Sequence, residues 1–290
     1  MEITLLGTGC PVASPDRRGA ATLARAPGAA VLIDCGSGAT QRLLEAGARG
    51  ADLDALLVTH LHSDHLVDFY QLVVSSWHQG RDRPWTVYCA PDVRAFLQAT
   101  LDLWADERAA RVAFERRPSA IGLEVAFVEI EPAAPIEIGG LTITPVPVEH
   151  QPVANAYGFV FDAGGKRAVL SGDTRYCPAL IAAGRGADLL VHEVFVHREM
   201  PVVAGVRSAE TIEAVASYHT SSAEVGRVAA EMAARALALT HFVPPVFDRE
   251  ALLAEVAESF GGPIFVGEDL ARFDLASGDV AFGGFRARVL

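Results

Sequence analysis

Short apolar runs recur along the chain and alternate with segments of helical periodicity. In the first half, runs such as Val31–Gly36 end at a glycine and precede a helical pattern, which predicts strands that lead into helices. From Val125 onward strands dominate, and the pairs Gly139-Gly140 and Gly164-Gly165 lie between alternating runs, as hairpin turns do. Helical patterns then return before the apolar run Ala236–Phe242. Two strand-rich halves that each contain helices predict an α/β fold of two packed sheets covered by helices, as one domain over residues 1–290.

The composition suits a globular enzyme and narrows its partners. Apolar residues make up 51% of the 290 residues, and 24 basic against 36 acidic side chains give a net charge of −12. Because an acidic surface repels nucleic acid at long range, we do not expect a nucleic-acid partner. The four cysteines are isolated, which argues against disulfides and thiolate zinc sites. With no signal peptide and no membrane-spanning run, we expect a cytoplasmic protein without membrane contact.

The stretch LVTHLHSDHLVDF, from Leu57 to Phe69, concentrates side chains that bind metals. His60 and His62 are two residues apart on extended chain and therefore point the same way. Asp64 and His65 are expected on the first turn of the next helix, beside them. Imidazole and carboxylate groups bind zinc and similar ions, and the carboxyl end of a strand is a common place for a site. A polar surface turn with incidental histidines is the alternative.

Three further polar residues follow apolar runs far along the chain. They are His150 after TITPVPVE, Asp173 after AVLSG, and His241 after LALT. Each position is ordinary by itself. Their shared placement at strand ends predicts that they converge on the first cluster.

Together these residues resemble the five-part metal signature of the metallo-β-lactamase fold. The matching elements are H-x-H-x-D-H, a distant His, the Asp of SGDT and the late His of LTHF. The resemblance implies a four-layer αβ/βα sandwich with two metals, two Zn²⁺ or alternatively Mn²⁺ or Fe, in the cleft between the sheets. It implies that one metal is held by His60, His62 and His150, that the other is held by Asp64, His65 and His241, and that Asp173 bridges them.

Other motifs resemble the branch that contains tRNase Z and its arylsulfatase-like and phosphodiesterase-like relatives. These motifs are GTGCPVASPDRRGAAT, LIDCGSGATQRL, SGDTR, LLVHEVF and YHTSSAEVGRVA. In that branch a Glu–His pair lies near the leaving group, and by position the pair here is Glu193 and His219. The implied roles are catalysis by Asp64, Glu193 and His219, orientation of a ligand histidine by Asp34, and substrate binding by Arg17, Arg18 and Arg175.

One feature of the endonucleases is missing from this chain. Their long Gly- and Lys-rich arm, which grips tRNA, lies between the equivalents of His150 and Asp173, where only the 22 residues Gln151–Gly172 are present. After LTHF this chain continues with VPP, whereas the endonucleases usually continue with S-x-R-Y. Since phosphate gripping needs many cations, the leading expectation is a dinuclear hydrolase of small anionic esters, phosphodiesters or aryl sulfates, with a metal-bridging hydroxide as nucleophile.

Three alternatives stay open. One is a tRNA 3′-end processing endonuclease, another is a lactone or carboxylic ester hydrolase, and the third is a metal-sensing or binding module without activity. In the leading interpretation the partner is a small-molecule ester, and the resemblance also implies a homodimer.

Overall fold

The computed structural model describes residues 1–289 and is built from sixteen strands and eight α-helices. The strands are β1 Glu2–Gly7, β2 Ala21–Ala26, β3 Ala29–Ile33, β4 Ala55–Leu57, β5 Trp85–Cys89, β6 Val125–Glu129, β7 Ile136–Ile138, β8 Leu141–Pro147, β9 Tyr157–Ala163, β10 Lys166–Leu170, β11 Leu189–Phe195, β12 Leu237–Val243, β13 Ile264–Val266, β14 Ala271–Asp274, β15 Asp279–Phe282 and β16 Phe285–Arg288. The helices are α1 Ala39–Glu45, α2 Phe69–His78, α3 Pro91–Leu103, α4 Ala105–Glu115, α5 Pro178–Ala183, α6 Ala209–Ala216, α7 Ser222–Met232 and α8 Arg249–Ala257.

The strands form two sheets that pack against each other. One has nine strands in the order β16-β15-β14-β1-β2-β3-β4-β5-β6, and the other has seven in the order β13-β12-β11-β10-β9-β8-β7. A buried apolar cluster joins the sheets, with Leu23 and Leu32 from the first and Phe159 and Phe161 from the second. Burial of each such side chain contributes roughly 1.5–3 kcal/mol to folding.

Helices cover the outer face of each sheet. Side chains of α1, α2 and α3 pack against the nine-stranded sheet and belong to the same buried apolar cluster. Side chains of α5, α7 and α8 pack on the seven-stranded sheet around Val169 and Leu190. The predicted α/β fold, a four-layer αβ/βα sandwich, is therefore confirmed. That residues 1–290 form a single domain stays a prediction.

Strand direction brings the polar strand ends to one edge of each sheet. Strands β3 to β6 are parallel, and so are β10 to β13. Strand β8 runs in the direction of β10 because both are antiparallel to β9. The carboxyl ends of β3 and β4 therefore carry Asp34 and His60, and those of β8, β10 and β12 carry His150, Asp173 and His241. This is the edge where α/β proteins place their sites.

The segment after β4 differs in detail from the prediction. Residues Ser63–His65 form one turn of 3₁₀ helix, and α2 begins only at Phe69. The carbonyl of His65 accepts a hydrogen bond from the N–H of Cys35 at 2.8 Å, while the N–H of Phe69 bonds to Leu66. In an α-helix the N–H of Phe69 would bond to the carbonyl of His65, whereas here that carbonyl bonds to Cys35. Asp64 and His65 thus lie on a separate turn ahead of α2.

The charged stretch Asp106–Ala120 is largely the helix α4. This helix buries none of its residues, which agrees with its surface position. Across the described residues, no helix has the length and apolar character that crossing a bilayer requires.

A glycine allows the Ser63–His65 turn to approach the loop after β3. The N–H of Gly36 donates to the carbonyl of Ala20 at 2.9 Å, and a Cβ on Gly36 would lie 2.1 Å from the backbone oxygen of Asp64. Only glycine fits this approach, because the atoms in the way belong to the backbone.

Replacement of Gly36 by alanine should therefore displace the Ser63–His65 turn and destabilise the protein. We expect Gly36→Ala to lower the free energy of unfolding by about 2–3 kcal/mol, measured from urea unfolding curves. The control is Gly261→Ala, since a Cβ there meets nothing within 4 Å; its effect should stay within about 1 kcal/mol. Equal effects of the two substitutions would contradict the proposed close approach.

Candidate metal centre

The first group of candidate ligands converges at the strand ends. Nε2 of His60 lies 3.0 Å from Nδ1 of His62, and Nε2 of His150 lies 3.2 Å from the same His62 nitrogen. Oδ2 of Asp173 is 3.8 Å from Nε2 of both His60 and His150. The ligand atoms of these four residues all lie within 4.8 Å of one another, which is the spacing of donors around a common cation.

A second group forms beside the first. Oδ2 of Asp64 is 3.1 Å from Nε2 of His241 and 3.6 Å from Nε2 of His65. His65 and His241 are buried, and Asp64 is largely buried. The structure thus brings together the seven residues that the sequence nominated as metal ligands.

Asp173 lies between the two groups. Its Oδ2 is 3.5 Å from Nε2 of His65 and 3.3 Å from Nε2 of His241, in addition to its contacts with His60 and His150. One carboxylate oxygen therefore faces histidines of both groups, as a ligand shared by two cations must.

Local backbone strain aims the side chains of His241 and Asp34. His241 has a φ of 45° and is the extra residue in a break of register between β11 and β12, where Glu193 pairs with Thr240 and Val194 pairs with Phe242. Such a bulge turns a side chain out of the regular alternation of the strand. Asp34 has a φ of 60°, which is also unusual for a residue with a Cβ.

Hydrogen bonds behind the histidines fix the direction of their rings. Oδ2 of Asp34 lies 2.8 Å from Nδ1 of His65 and accepts a bond from the hydroxyl of Thr59, which is 2.9 Å from Nδ1 of His60. Asp34 therefore orients histidines of both groups. Nδ1 of His150 lies 3.0 Å from the carbonyl of Tyr218. The sequence reasoning missed Thr59 and Tyr218, since neither a strand-end threonine nor a backbone carbonyl has a motif of its own.

The donor set fits divalent metal ions. Burial lowers the pKa of His60 well below its ordinary value, and it also lowers the pKa of His62 and His150, so these imidazoles are neutral, as metal ligands are. Nε2 of His65 is buried and has no hydrogen-bond partner among the described residues. Imidazole nitrogens combined with carboxylate oxygens suit zinc, manganese and iron.

Glu193 and His219 form a pair next to the candidate ligands. Oε1 of Glu193 lies 2.9 Å from Nδ1 of His219 and accepts backbone N–H bonds from Thr174 and Thr220 at 3.1 and 3.2 Å. Burial opposes protonation of His219, but the Glu193 carboxylate outweighs it and raises the pKa of the imidazole above its ordinary value. The His219 ring lies 5.2 Å from that of His150 and 5.8 Å from that of His241, so it adjoins both ligand groups.

Two of the three nominated arginines are occupied by protein partners. Arg175 pairs with Glu149, and Nη1 of Arg17 donates to the hydroxyl of Thr8 at 2.6 Å and to the carbonyl of Gly267 at 2.8 Å. Arg18 is exposed. Substrate binding by Arg17, Arg18 and Arg175 stays a prediction, which the hydrogen bonds weaken for Arg17 and Arg175.

A cavity of about 260 Å³ adjoins the candidate metal ligands. Its lining includes Asp64 together with Cys10, Arg17, Arg18 and Ser63. A larger cavity of about 750 Å³ lies instead along β14 to β16. The smaller cavity is the better candidate for substrate, because Asp64 is a candidate metal ligand.

Comparisons with known proteins agree with this geometry. A family model described as a β-lactamase superfamily domain matches residues 29–242. Ribonuclease Z of Mycobacterium bovis (strain BCG / Pasteur 1173P2) is 34% identical over 281 residues, which cover 95% of this chain and 98% of that protein.

Solved structures show the same fold. The metallo-β-lactamase fold protein YhfI from Bacillus subtilis has a TM-score of 0.72 at 21% identity. The match covers 94% of this chain and 99% of the YhfI chain. The short form of human tRNase Z has a TM-score of 0.70 at 19% identity. The match covers 95% of this chain and 99% of that chain. The chain therefore belongs to the β-lactamase superfamily and is a metal-dependent hydrolase of the metallo-β-lactamase fold, in the tRNase Z branch.

Proposed function

We propose that the protein is a phosphodiester hydrolase of the ribonuclease Z type, which cleaves RNA at a centre with two metal ions. The observation that carries this proposal is the position of Asp173 Oδ2, which lies 3.3–3.8 Å from the nitrogens of four histidines in two groups. Two adjacent cations are the arrangement that many phosphodiesterases use for in-line displacement.

In this proposal each group holds one cation. His60, His62 and His150 hold the first, Asp64, His65 and His241 hold the second, and Asp173 is shared. Zinc fits the donor set best, with manganese and iron as alternatives. When bound, the metals supply Lewis-acid polarisation of the phosphate and activation of water at neutral pH.

The chain's own residues provide the proton for the leaving group. Glu193 is fixed by two backbone N–H groups and a histidine nitrogen, so it holds the His219 ring in one orientation. With Nδ1 bonded to Glu193, Nε2 of His219 is the atom that donates a proton to the departing alkoxide as the phosphorus–oxygen bond breaks. Asp64 contributes by holding its cation and by facing the cavity where substrate enters.

The relatives of similar length favour RNA over small esters as the substrate. The sequence-based argument against nucleic acid depended on the net charge of −12 and on the missing arm. The Mycobacterium bovis ribonuclease Z, however, is covered over 98% of its length by this chain. A protein named for that activity therefore has no room for a long additional arm. The short segment Gln151–Gly172 does not count against RNA.

Small phosphodiesters are the second candidate. The β9–β10 hairpin closes over Gly164 and Gly165, both at positive φ, and extends no further. A net charge of −12 weakens the long-range attraction to a polyanion, so the chain would suit a compact substrate. Aryl sulfates and lactones are further outcomes of a substrate panel. The homodimer and the cytoplasmic location stay predictions.

Metal content tests the two-group assignment. We expect purified protein to hold about two equivalents of zinc, manganese or iron, and His150→Ala to hold about one, since one group loses a ligand. Elemental analysis by mass spectrometry measures both. His78→Ala is the matched control, because His78 is an exposed histidine that contacts Arg117. Full retention of metal by the His150 variant would contradict the assignment.

The leaving group tests the role of His219. We expect His219→Ala to reduce kcat by about 10²–10⁴-fold for diesters with an alkoxide leaving group. The loss should be much smaller for p-nitrophenyl esters, because p-nitrophenolate departs without a proton. Steady-state kinetics with both substrate types, at unchanged metal content, gives the comparison. Equal losses on both substrates would exclude proton donation by His219.

RNA and small diesters can be separated directly. For a precursor tRNA with a 3′ trailer, we expect kcat/KM at least about 100-fold above that for bis(p-nitrophenyl) phosphate, with KM rising steeply with salt. Gel analysis of the cleaved RNA over a range of salt concentrations measures this. Turnover of the small diester without cleavage of the RNA would overturn the leading proposal in favour of the second candidate.

A further inference from the structure

Asp269 lies in the turn between β13 and β14, far along the chain from the residues that it contacts. Its side chain is only 4% exposed. Oδ1 accepts hydrogen bonds from the N–H of Thr8 at 3.0 Å and from its hydroxyl at 2.9 Å. Oδ2 accepts bonds from the N–H of Arg18 at 2.8 Å and from Nε of Arg42 at 3.1 Å. Both carboxylate oxygens are therefore fully engaged.

These bonds close the base of a loop. Residues 9–18, which we call the N-terminal loop, begin after Thr8 and end at Arg18, so Asp269 holds the two ends together. The N–H of Gly9 donates to the carbonyl of Arg18 at 2.8 Å within the same closure. Arg17 adds to it, because its guanidinium lies 4.2 Å from the centre of the Phe242 ring and donates to the Thr8 hydroxyl.

The N-terminal loop forms one wall of the 260 Å³ cavity beside the metal centre. The lining also includes Ser37, Ser63, Asp64 and Val67. The loop base is also tied to the second ligand group, since the carbonyl of Thr8 accepts a bond from the N–H of Phe242, the residue after His241, at 3.2 Å. A substrate phosphate at the metals would thus have this cavity next to it.

We propose that Asp269 is a positioning residue that fixes the N-terminal loop and thereby shapes the cavity for the part of the substrate beside the scissile phosphate. This inference rests on the proposed phosphodiesterase function. Asp269 acts through the loop, since its oxygens are used by Thr8, Arg18 and Arg42. The expected consequence is selectivity: substrates that fill the cavity depend on Asp269, and minimal substrates do not.

Asp269→Asn tests the loop without depending on activity. An amide in place of the carboxylate keeps the volume but presents an NH₂ group to two of the four donors, so two hydrogen bonds are lost. We expect amide hydrogen exchange of residues 8–18 to accelerate by about tenfold or more, while exchange elsewhere and metal content stay unchanged. Glu268→Gln is the matched control, because its carboxylate contacts Arg249 at the surface, at 2.6 Å.

Kinetics of the same variants test the selectivity. For the p-nitrophenyl ester of thymidine 5′-monophosphate, Asp269→Asn should raise KM by about tenfold and leave kcat within about twofold. For methyl p-nitrophenyl phosphate, which has only a methyl group beside the phosphate, neither constant should change. Thr8→Val, which removes only the hydroxyl contacts, should give a smaller effect in the same direction and serves if Asp269→Asn fails to fold.

The outcomes separate this inference from the proposed function. Unchanged exchange in residues 8–18, or equal changes for the two substrates, would overturn the role of Asp269. If the wild-type protein hydrolyses no phosphodiester, the proposed function fails, and the hydrogen exchange result still decides whether Asp269 fixes the loop.

Discussion

One carboxylate oxygen, Oδ2 of Asp173, is the atom around which the centre is arranged. It is buried, and the nitrogens of four histidines lie within 3.8 Å of it. Burying a carboxylate away from water is costly unless positive charge or donors surround it. Burial lowers the pKa of His60 and His150, so these two imidazoles are neutral and leave lone pairs for a cation. At His65 burial is outweighed by the carboxylates of Asp173, Asp34 and Asp64, which raise the pKa. Positive charge beside Asp173, whether on divalent cations or on His65, stabilises the buried carboxylate.

The fold supplies this cluster by assembling strand ends, and part of that was predictable. His60, His62, Asp64 and His65 lie in one short stretch, so their grouping could be inferred from the sequence. The distant ligands could be nominated because each follows an apolar run that predicts a strand. The sandwich itself followed from the alternation of strands and helices together with the family resemblance.

Other parts of the site could not be predicted, because they depend on contacts between distant backbone atoms. Tyr218 orients His150 through its carbonyl, which leaves no trace in residue type. The contact of Asp269 with Thr8 joins positions 261 residues apart. Ahead of α2, the carbonyl of His65 bonds to a loop N–H instead of to the N–H of Phe69. Local propensity and spacing carry no information on such choices, which tertiary contacts decide.

Backbone strain at the site has a clear physical use. Asp34 and His241 both adopt positive φ, a conformation that costs energy for residues with a Cβ. At Asp34 the cost is offset by hydrogen bonds from the N–H and hydroxyl of Thr59, each at 2.8 Å. At His241 the bulge lets a residue inside a buried strand turn its ring toward Asp64. The strained residues are thus those whose side chains regular strands would direct elsewhere.

In the proposed function, metal binding and substrate selection depend on different parts of the chain. The candidate ligands follow strands of both sheets, whereas the wall of the adjoining cavity is a loop whose closure depends on a turn near the C-terminal strands. Because the loop base is bonded to Asp269 and to Phe242, we expect changes in the outer loop residues to alter the cavity more than the positions of the candidate ligands. A fold organised in this way can keep one chemistry while its substrates differ, which is why the shared metal signature alone does not determine the ester that is cleaved.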